Sequence, residues 1–259
     1  MYNVYIIVTI PFLFATRGKN EMALLRLDKY LCDIGIASRR EVKELLRAGR
    51  VTVNGVVTTR PEFKLDPAGS RVELDGKALQ YRSFHYYMMD KPAGVITATE
   101  DRDQSTVLDL LPPELRRLGL FPVGRLDKDT SGLLLLTDDG DFSHRVISPK
   151  SGIWKRYYAE VDGIPDETDA AAFREGLVLA DGTRCLPAEL TCTGGSGCYV
   201  SVQEGKYHQV KRMLAARGKT VLRLRRLSIG GLELGNLLKP GELRALTEED
   251  LCTVFIGKK

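Results

Sequence analysis

The stretch GRLDKDTSGLLLLTDDG, residues 124–140, decides how the larger part of this chain folds. Its four consecutive leucines, Leu133–Leu136, form a short apolar run, which is typical of a strand buried on both faces at the centre of a sheet. The Asp-Asp-Gly sequence that follows supplies a turn that ends the strand. The sequence therefore predicts that Asp127 lies a few residues before a rigid central strand, which would hold its side chain in place.

Asp127 is the carboxylate of this stretch whose setting best suits chemistry. Arg125 lies two residues before it and Lys128 beside it, and cationic neighbours favour a charged carboxylate even in a closed site. The residues alone leave a second interpretation open, in which Asp127 caps a turn in front of the strand, as short polar side chains commonly do. Turn and surface roles are expected for the remaining charges, Lys128, Asp129, Asp138 and Asp139.

Two further segments combine features that suit an RNA partner. Residues 205–226 contain eight Lys or Arg and no acidic residue. A helical pattern there puts Lys211 and Arg212 at the edge of the buried face, within reach of a carboxylate or of phosphates. The segment WKRYYAEV, residues 154–161, places aromatic rings beside cations, as in stacking on an unpaired base. Each segment alone also fits an ordinary surface helix or core strand.

The N-terminal part, residues 22–81, has the pattern of a small module with two helices and a hairpin. Apolar residues recur at helical spacing over residues 24–34, and Ser38 is suited to cap a second helix. Asn54-Gly55 between two β-branched runs predicts a tight hairpin turn. Residues 77–83 are expected to form a linker to the next domain.

Composition sets the broad class of protein. The chain has 259 residues, 43% hydrophobic and 28% charged, with a net charge of +4, as in ordinary globular proteins. Strands and short helices alternate irregularly over residues 84–259, which predicts an α+β domain with a large mixed, mainly antiparallel sheet. Residues 1–21 are expected to be an extension, disordered or mis-started, and neither a membrane span nor an export signal. Five cysteines without regular spacing favour a reducing cytoplasm and give no zinc-site pattern.

The charge of the N-terminal module is uneven, with eight Lys or Arg against four acidic residues between Leu24 and Arg60. The stretch RLDKYLCDIGIASRREVKELLRAGRVTVNG, residues 26–55, resembles the S4 RNA-binding module. That resemblance implies binding of structured RNA through a helix face and the loop that follows it. The residues expected to contact RNA are Arg26, Lys29, Arg39, Arg40, Lys43, Arg47 and Arg50.

The larger part of the chain resembles the pseudouridine synthases, in the branch that carries an S4 module in front and modifies ribosomal RNA. The resemblance rests on GRLDKDTSGLLLLTDDG together with DKPAGVIT, KRYYAEV and EGKYHQVKRM, which begin at Asp90, Lys155 and Glu204. Within this branch, DDGDFSHRVISP and EGKYHQVKRM are more similar to the enzymes of small-subunit 16S RNA than to those of large-subunit 23S RNA.

The resemblance implies roles for individual residues. Asp127 corresponds to the essential catalytic carboxylate, Tyr157 to the aromatic ring that stacks on the target uracil, and Lys211 to the cation that pairs with the carboxylate. Arg125 and Arg212 are expected to hold the RNA backbone. The implied reaction isomerises uridine to pseudouridine without cofactor or metal ion. The implied partner of this monomer is 16S ribosomal RNA or a small-subunit assembly intermediate, with a target of the uridine-516 type.

Three alternatives stay open at this point. The chain could act on 23S RNA, or it could be a ribosome-associated RNA-binding protein whose larger domain is only a scaffold. It could also be a hydrolase of phosphodiester or glycosidic bonds, and a glycosidase would need a second carboxylate opposite Asp127. Carboxylates for that role lie across the length of a strand from Asp127, at Asp138, Asp139 and Asp141.

Overall fold

The computed structural model of the chain describes residues 24–81 and 83–257. Two compact units make up this part of the chain. The first takes the described residues up to Ser83 together with Thr247–Glu249, and the second takes Phe84–Leu246 and the chain from Asp250 onward. The predicted extension, residues 1–21, lies outside the described residues.

The first unit contains the two helices and the hairpin that its sequence predicts. Its helices are α1 (Leu27–Asp33) and α2 (Arg39–Arg47). Its strands are β1 (Leu25–Arg26), β2 (Val51–Val53), β3 (Val56–Val57), β4 (Lys64–Leu65), β5 (Val72–Leu74) and β6 (Lys77–Leu79). Ser38 begins α2 with a capping box, because its side chain accepts from the Glu41 backbone while Glu41 accepts from the Ser38 backbone.

Two details of this unit differ from the expectation. The first helix begins at Leu27, because the two residues before it form β1 and pair with β4. The expected linker from residue 77 is also wrong at its start, since β6 pairs antiparallel with β5. Asp75 and Gly76 have positive φ angles of 50° and 77° and close this hairpin. An Asp-Gly pair predicts a tight hairpin turn as clearly as the Asn54-Gly55 pair does.

The second unit is built on one large sheet flanked by short helices. Its strands are β7 (Tyr86–Lys91), β8 (Phe121–Pro122), β9 (Thr130–Thr137), β10 (Lys155–Val161), β11 (Glu189–Cys192), β12 (Gly197–Val202), β13 (Val221–Ile229), β14 (Leu232–Glu233) and β15 (Leu243–Ala245). Its helices are α3 (Pro113–Arg116), α4 (Gly140–Ile147), a 3-10 turn (Pro149–Ser151), α5 (Glu167–Glu175) and α6 (Gln209–Ala215). Near the C-terminus the chain forms α7 (Glu248–Val254).

The strand order is β11-β12-β10-β13-β9-β7-β15, with β14 beside β13 and β8 beside β9. Among the described strands, β9 and β13 form the one parallel pair of this sheet, and its other pairs are antiparallel. This arrangement confirms the predicted α+β class with a mixed, mainly antiparallel sheet.

The four leucines of β9 are buried on both faces of the sheet, as predicted. Leu133 and Leu135 join one hydrophobic cluster, which includes Phe142 of α4. Leu134 and Leu136 join a second cluster on the opposite face, which includes Leu126. The alternation of side chains along a strand therefore anchors β9 on two sides, and the loop that carries Asp127 begins from a fixed point.

A close backbone contact joins β9 to β13 at Gly132. Arg226 of β13 is the register partner of Gly132, which has a φ of 105°. A Cβ at this position would overlap the carbonyl oxygen and the backbone nitrogen of Arg226. Glycine is therefore required here both for the conformation and for the space.

Replacing Gly132 by Ala is expected to lower the free energy of unfolding by about 3 kcal/mol, because backbone strain and overpacking add. Urea denaturation of the purified protein measures this change. Gly140→Ala is the matched control, since a Cβ there meets no atom within 4 Å. Equal unfolding free energies for the two variants would contradict the requirement at Gly132.

Candidate active site

Asp127 and Lys211 meet although they come from distant parts of the chain. Asp127 lies in the loop before β9, and Lys211 lies on α6. The Lys211 Nζ is 3.0 Å from the Asp127 Oδ2, and both side chains are largely buried. His208 approaches the other carboxylate oxygen, with its Nε2 3.4 Å from Oδ1. The carboxylate therefore sits between two basic groups on one segment.

Asp129 shares the same lysine. Its Oδ1 lies 2.5 Å from the Lys211 Nζ, and this hydrogen bond lowers the pKa of Asp129. Burial disfavours the Lys211 cation, but the hydrogen bonds to Asp129 and Asp127 outweigh it and raise the pKa of Lys211. Asp129 is exposed, as expected of a surface charge, but no local pattern predicts its partner, because Lys211 lies far along the chain.

Lys91 supports the backbone of the Asp127 loop through hydrogen bonds. No pattern in the sequence analysis singled out this residue. Its side chain is fully buried at the end of β7. The Nζ donates to the carbonyl oxygens of Thr130 at 2.9 Å, Pro92 at 3.0 Å, Asp127 at 3.2 Å and Lys128 at 3.4 Å. Burial lowers the pKa of Lys91 to about 8, so the amine still carries its proton at neutral pH. A lysine inside the apolar run YYMMDKP was the available signal.

Two more ionic contacts brace the strands around this loop. Arg225 donates to both oxygens of the buried Asp90, at 3.0 and 2.8 Å, and so joins β13 to β7. The buried Arg226 donates through Nε to the Leu133 carbonyl at 2.7 Å. These two of the eight cations in the acid-free segment therefore bind groups inside the protein.

Tyr157 lies half-buried on β10. It packs against the cluster that contains Leu126, the residue before Asp127, and against the cluster that contains Ala159. Its neighbour Lys155 does not fit the expected role of a cation beside a stacked base. Lys155 is buried, its Nζ is 3.4 Å from the Gln203 carbonyl, and burial lowers its pKa to about 8.

The expected RNA-contacting residues fall into groups with different partners. Arg125 is exposed beside the Asp127 loop. Arg212 forms an ion pair with Asp181 at 2.5 Å. In the first unit, ion pairs engage Arg26 with Asp28, Lys29 with Asp33, Arg50 with Asp75 and Arg40 with Glu44. Arg39, Lys43 and Arg47 follow one another along the exposed side of α2, and no carboxylate among the described residues forms an ion pair with them.

The two aspartates after β9 lie in the turn between this strand and α4, as expected, and each also has a structural partner. Asp139 caps α4 by accepting from the Phe142 backbone at 3.0 Å. Asp138 accepts from the backbone and the ring of His85, at 2.6 and 2.8 Å. Both lie at the opposite end of β9 from Asp127 and are held by other groups. Neither is therefore placed as the second carboxylate of a glycosidase.

Comparison with known proteins identifies the class to which this fold and site belong. The family model described as RNA pseudouridylate synthase matches residues 85–216, and the S4 domain model matches residues 25–72. The chain belongs to the RNA pseudouridine synthase family, with an S4 domain in front of the synthase domain.

Individual relatives match over nearly their whole length. The uncharacterized RNA pseudouridine synthase YtzG of Bacillus subtilis is 43% identical, over 88% of this chain and 97% of its own. The ribosomal small subunit pseudouridine synthase A of Vibrio cholerae is 42% identical, over 89% of this chain and 100% of its own. A crystal structure of a pseudouridylate synthase matches with a TM-score of 0.63 and 32% identity, covering 89% of this chain and 99% of that chain.

Replacing Lys211 by Met is expected to lower pseudouridine formation about 100-fold, because Asp127 and Asp129 would then lose the cation between them. Lys211→Arg keeps the charge and should retain most of the activity. Single-turnover assays on ribosomal RNA transcripts measure both variants, and circular dichroism checks their folding. A Lys211→Met protein as fast as the wild type would rule out a role for this ion pair.

Proposed function

We propose that this enzyme isomerises one uridine of 16S ribosomal RNA to pseudouridine, with Asp127 as the catalytic carboxylate. The observation that carries the assignment of Asp127 is its pairing with Lys211 at 3.0 Å on a loop fixed by β9 and Lys91. The choice of 16S RNA is supported by the relative from Vibrio cholerae, whose name specifies the small ribosomal subunit and whose whole length this chain matches.

The reaction needs no cofactor, because the atoms of substrate and product are the same. Asp127 promotes cleavage of the bond between N1 of uracil and C1′ of ribose, either by attack on the sugar or by taking a proton from C2′. The freed uracil rotates, and C5 then bonds to C1′ and gives up its proton, while N1 ends with a proton. On the first route the new bond displaces Asp127 from C1′, and on the second route Asp127 returns the proton to C2′. Tyr157 stacks on the uracil during this rotation and assists removal of the C5 proton.

The protein groups around Asp127 have separate tasks in this proposal. Lys211 offsets the charge of the carboxylate and fixes its direction, and Asp129 holds Lys211 from the solvent side. Lys91 keeps the loop backbone rigid, which matters because small displacements of a reacting group are costly. The target uridine must leave its stack to reach this site, at a cost of a few kcal/mol that RNA contacts offset.

The S4 domain supplies much of that RNA affinity through the exposed row Arg39, Lys43 and Arg47. These residues are spaced by four along α2, so their side chains lie on one side of the helix. Arg26, Lys29, Arg40 and Arg50 add positive charge to the same domain. Arg125, together with Arg212, holds the RNA backbone near the catalytic loop.

The protein acts as a monomer in the cytoplasm on small-subunit RNA, before the subunit is fully assembled, at a uridine of the 516 type. In the part of the chain that the structure describes, no helix is long and apolar enough to cross a membrane.

Asp127→Asn is expected to abolish pseudouridine formation and to leave RNA affinity within about twofold, because only the reacting carboxylate is changed. Chemical mapping by primer extension detects the product, and filter binding measures affinity. Asp141→Asn, an exposed carboxylate after the same strand, is the matched control. Modification by Asp127→Asn at the wild-type rate would refute the catalytic assignment, and a gene deletion that removes only a 23S pseudouridine would refute the substrate assignment.

The triple variant Arg39→Gln, Lys43→Gln, Arg47→Gln is expected to weaken RNA binding strongly. The slope of log affinity against log salt should fall by about 2 to 3, because each phosphate contact contributes nearly one. The comparison variant, Arg26→Gln, Lys29→Gln, Arg50→Gln, removes the same net charge from residues held in ion pairs, so its slope should fall by less. Equal losses in the two triple variants would show that the charge of the domain matters and the row on α2 does not.

A further inference from the structure

Tyr207 and His208 form a stacked pair in the segment between β12 and α6. Their ring centroids are 3.9 Å apart, and the ring planes are inclined by 16°. Tyr207 is 75% exposed, more than any other large apolar side chain in the described part of the chain. One face of its ring lies on His208, so the opposite face is available to solvent.

The backbone of this pair is held in an unusual conformation. His208 is not a glycine, yet its φ and ψ angles of 48° and 34° lie in the left-handed region. Hydrogen bonds fix both sides of it. The Arg212 side chain donates to the Tyr207 carbonyl at 3.3 Å, and the Lys206 backbone donates to the Gln209 side chain at 3.0 Å. Strained backbone that is held by its surroundings is typical of functional sites.

Two buried residues connect the backbone around His208 to the interior of the protein through hydrogen bonds. The Gln209 side chain donates to Glu204 at 2.9 Å, and Glu204 accepts from the Leu186 backbone at 2.9 Å. Both Glu204 and Gln209 are buried. The ring pair is therefore set on a rigid base, and its position does not depend on a bound molecule.

The pair lies beside the Asp127 carboxylate. His208 lies with Nε2 3.4 Å from the Asp127 Oδ1, and the exposed ring of Tyr207 is stacked on the His208 ring. The chain around it, residues 205–226, has no acidic residue. This surface suits a ligand in which a planar group is attached to a polyanionic backbone. A nucleobase in an RNA strand is such a group.

We propose that Tyr207 and His208 form a stacking platform for an unpaired nucleobase that neighbours the target uridine in the RNA. The platform is a second base site, separate from the uracil site at Tyr157, and it rests on the proposed function. A base stacked on Tyr207 would hold the strand next to the flipped uridine. The enzyme would then prefer targets whose neighbouring nucleotide is also unpaired, because a paired base does not present a free face to the ring.

The test combines two variants with modified RNA. The substrate is a synthetic small-subunit RNA fragment that contains the uridine located by mapping, in three forms: intact, abasic on the 5′ side of the target, and abasic on the 3′ side. Tyr207→Leu removes the aromatic ring, and Tyr207→Phe keeps it. Leu237→Ala serves as control, since Leu237 is similarly exposed, at 72%. KM and kcat of the full-length proteins are measured on each RNA.

On the intact RNA, Tyr207→Leu should raise KM by about 5- to 150-fold with little change in kcat, the range for loss of one base stack. Tyr207→Phe and Leu237→Ala should behave as the wild type. On one of the two abasic RNAs the wild type should show the same rise in KM, and Tyr207→Leu should add nothing further, since the stack is already absent.

Three results would overturn the platform: an unchanged KM for Tyr207→Leu, equal losses for the Leu and Phe variants, or additive losses on both abasic RNAs. The last result would point to a contact of Tyr207 with another part of the RNA fragment, such as a ribose or a more distant base. The activity of the wild-type protein shows whether the proposed function fails or only the platform does. A wild-type protein that binds the intact RNA but forms no pseudouridine overturns the activity, whereas an active wild type with a neutral Tyr207→Leu overturns the platform alone.

Discussion

The synthase domain depends on the close approach of β9 and β13 at Gly132. Without a side chain at this position, the backbone of Arg226 comes into direct contact with β9, and the two strands form the parallel pair inside an otherwise antiparallel sheet. The pairing places β9 between β7 and β13, where its leucines can be buried on both faces. Asp127 lies three residues before Thr130, the first residue of β9, so this buried strand keeps it rigid.

Two buried ions of this framework, Lys91 and Asp90, are well supplied with partners. Lys91 uses four carbonyl oxygens of the turn and the loop, and Asp90 uses both nitrogens of the Arg225 fork. A buried charge without such partners would be strongly destabilising. The ions around Asp127 therefore serve two purposes: they fix the loop, and they leave Lys211 and His208 as the groups that face the carboxylate.

Local patterns were sufficient for much of the fold. The cap at Ser38, the hairpin at Asn54-Gly55 and the buried strand at Leu133–Leu136 each depend on a few adjacent residues, and each was predicted. Where the prediction failed, a local signal was sometimes present, as in the Asp75-Gly76 turn that begins β6. In other cases the signal was ambiguous. Lys155 stands beside aromatic residues, but strand alternation directs it into the interior.

The sequence by itself determined many of the elements, the order of the two domains and the carboxylate to which the family resemblance points. Only the tertiary structure decided which groups meet that carboxylate. Lys211 and His208 lie some 80 positions away, and Lys91 lies 36 positions away on another strand. Short-range hydrophobic patterns encode which face of an element is buried, whereas contacts between charged side chains depend on how those buried faces pack. The same packing places His208 beside Asp127 and leaves Tyr207 exposed to solvent. No spacing of residues along the chain encodes that arrangement.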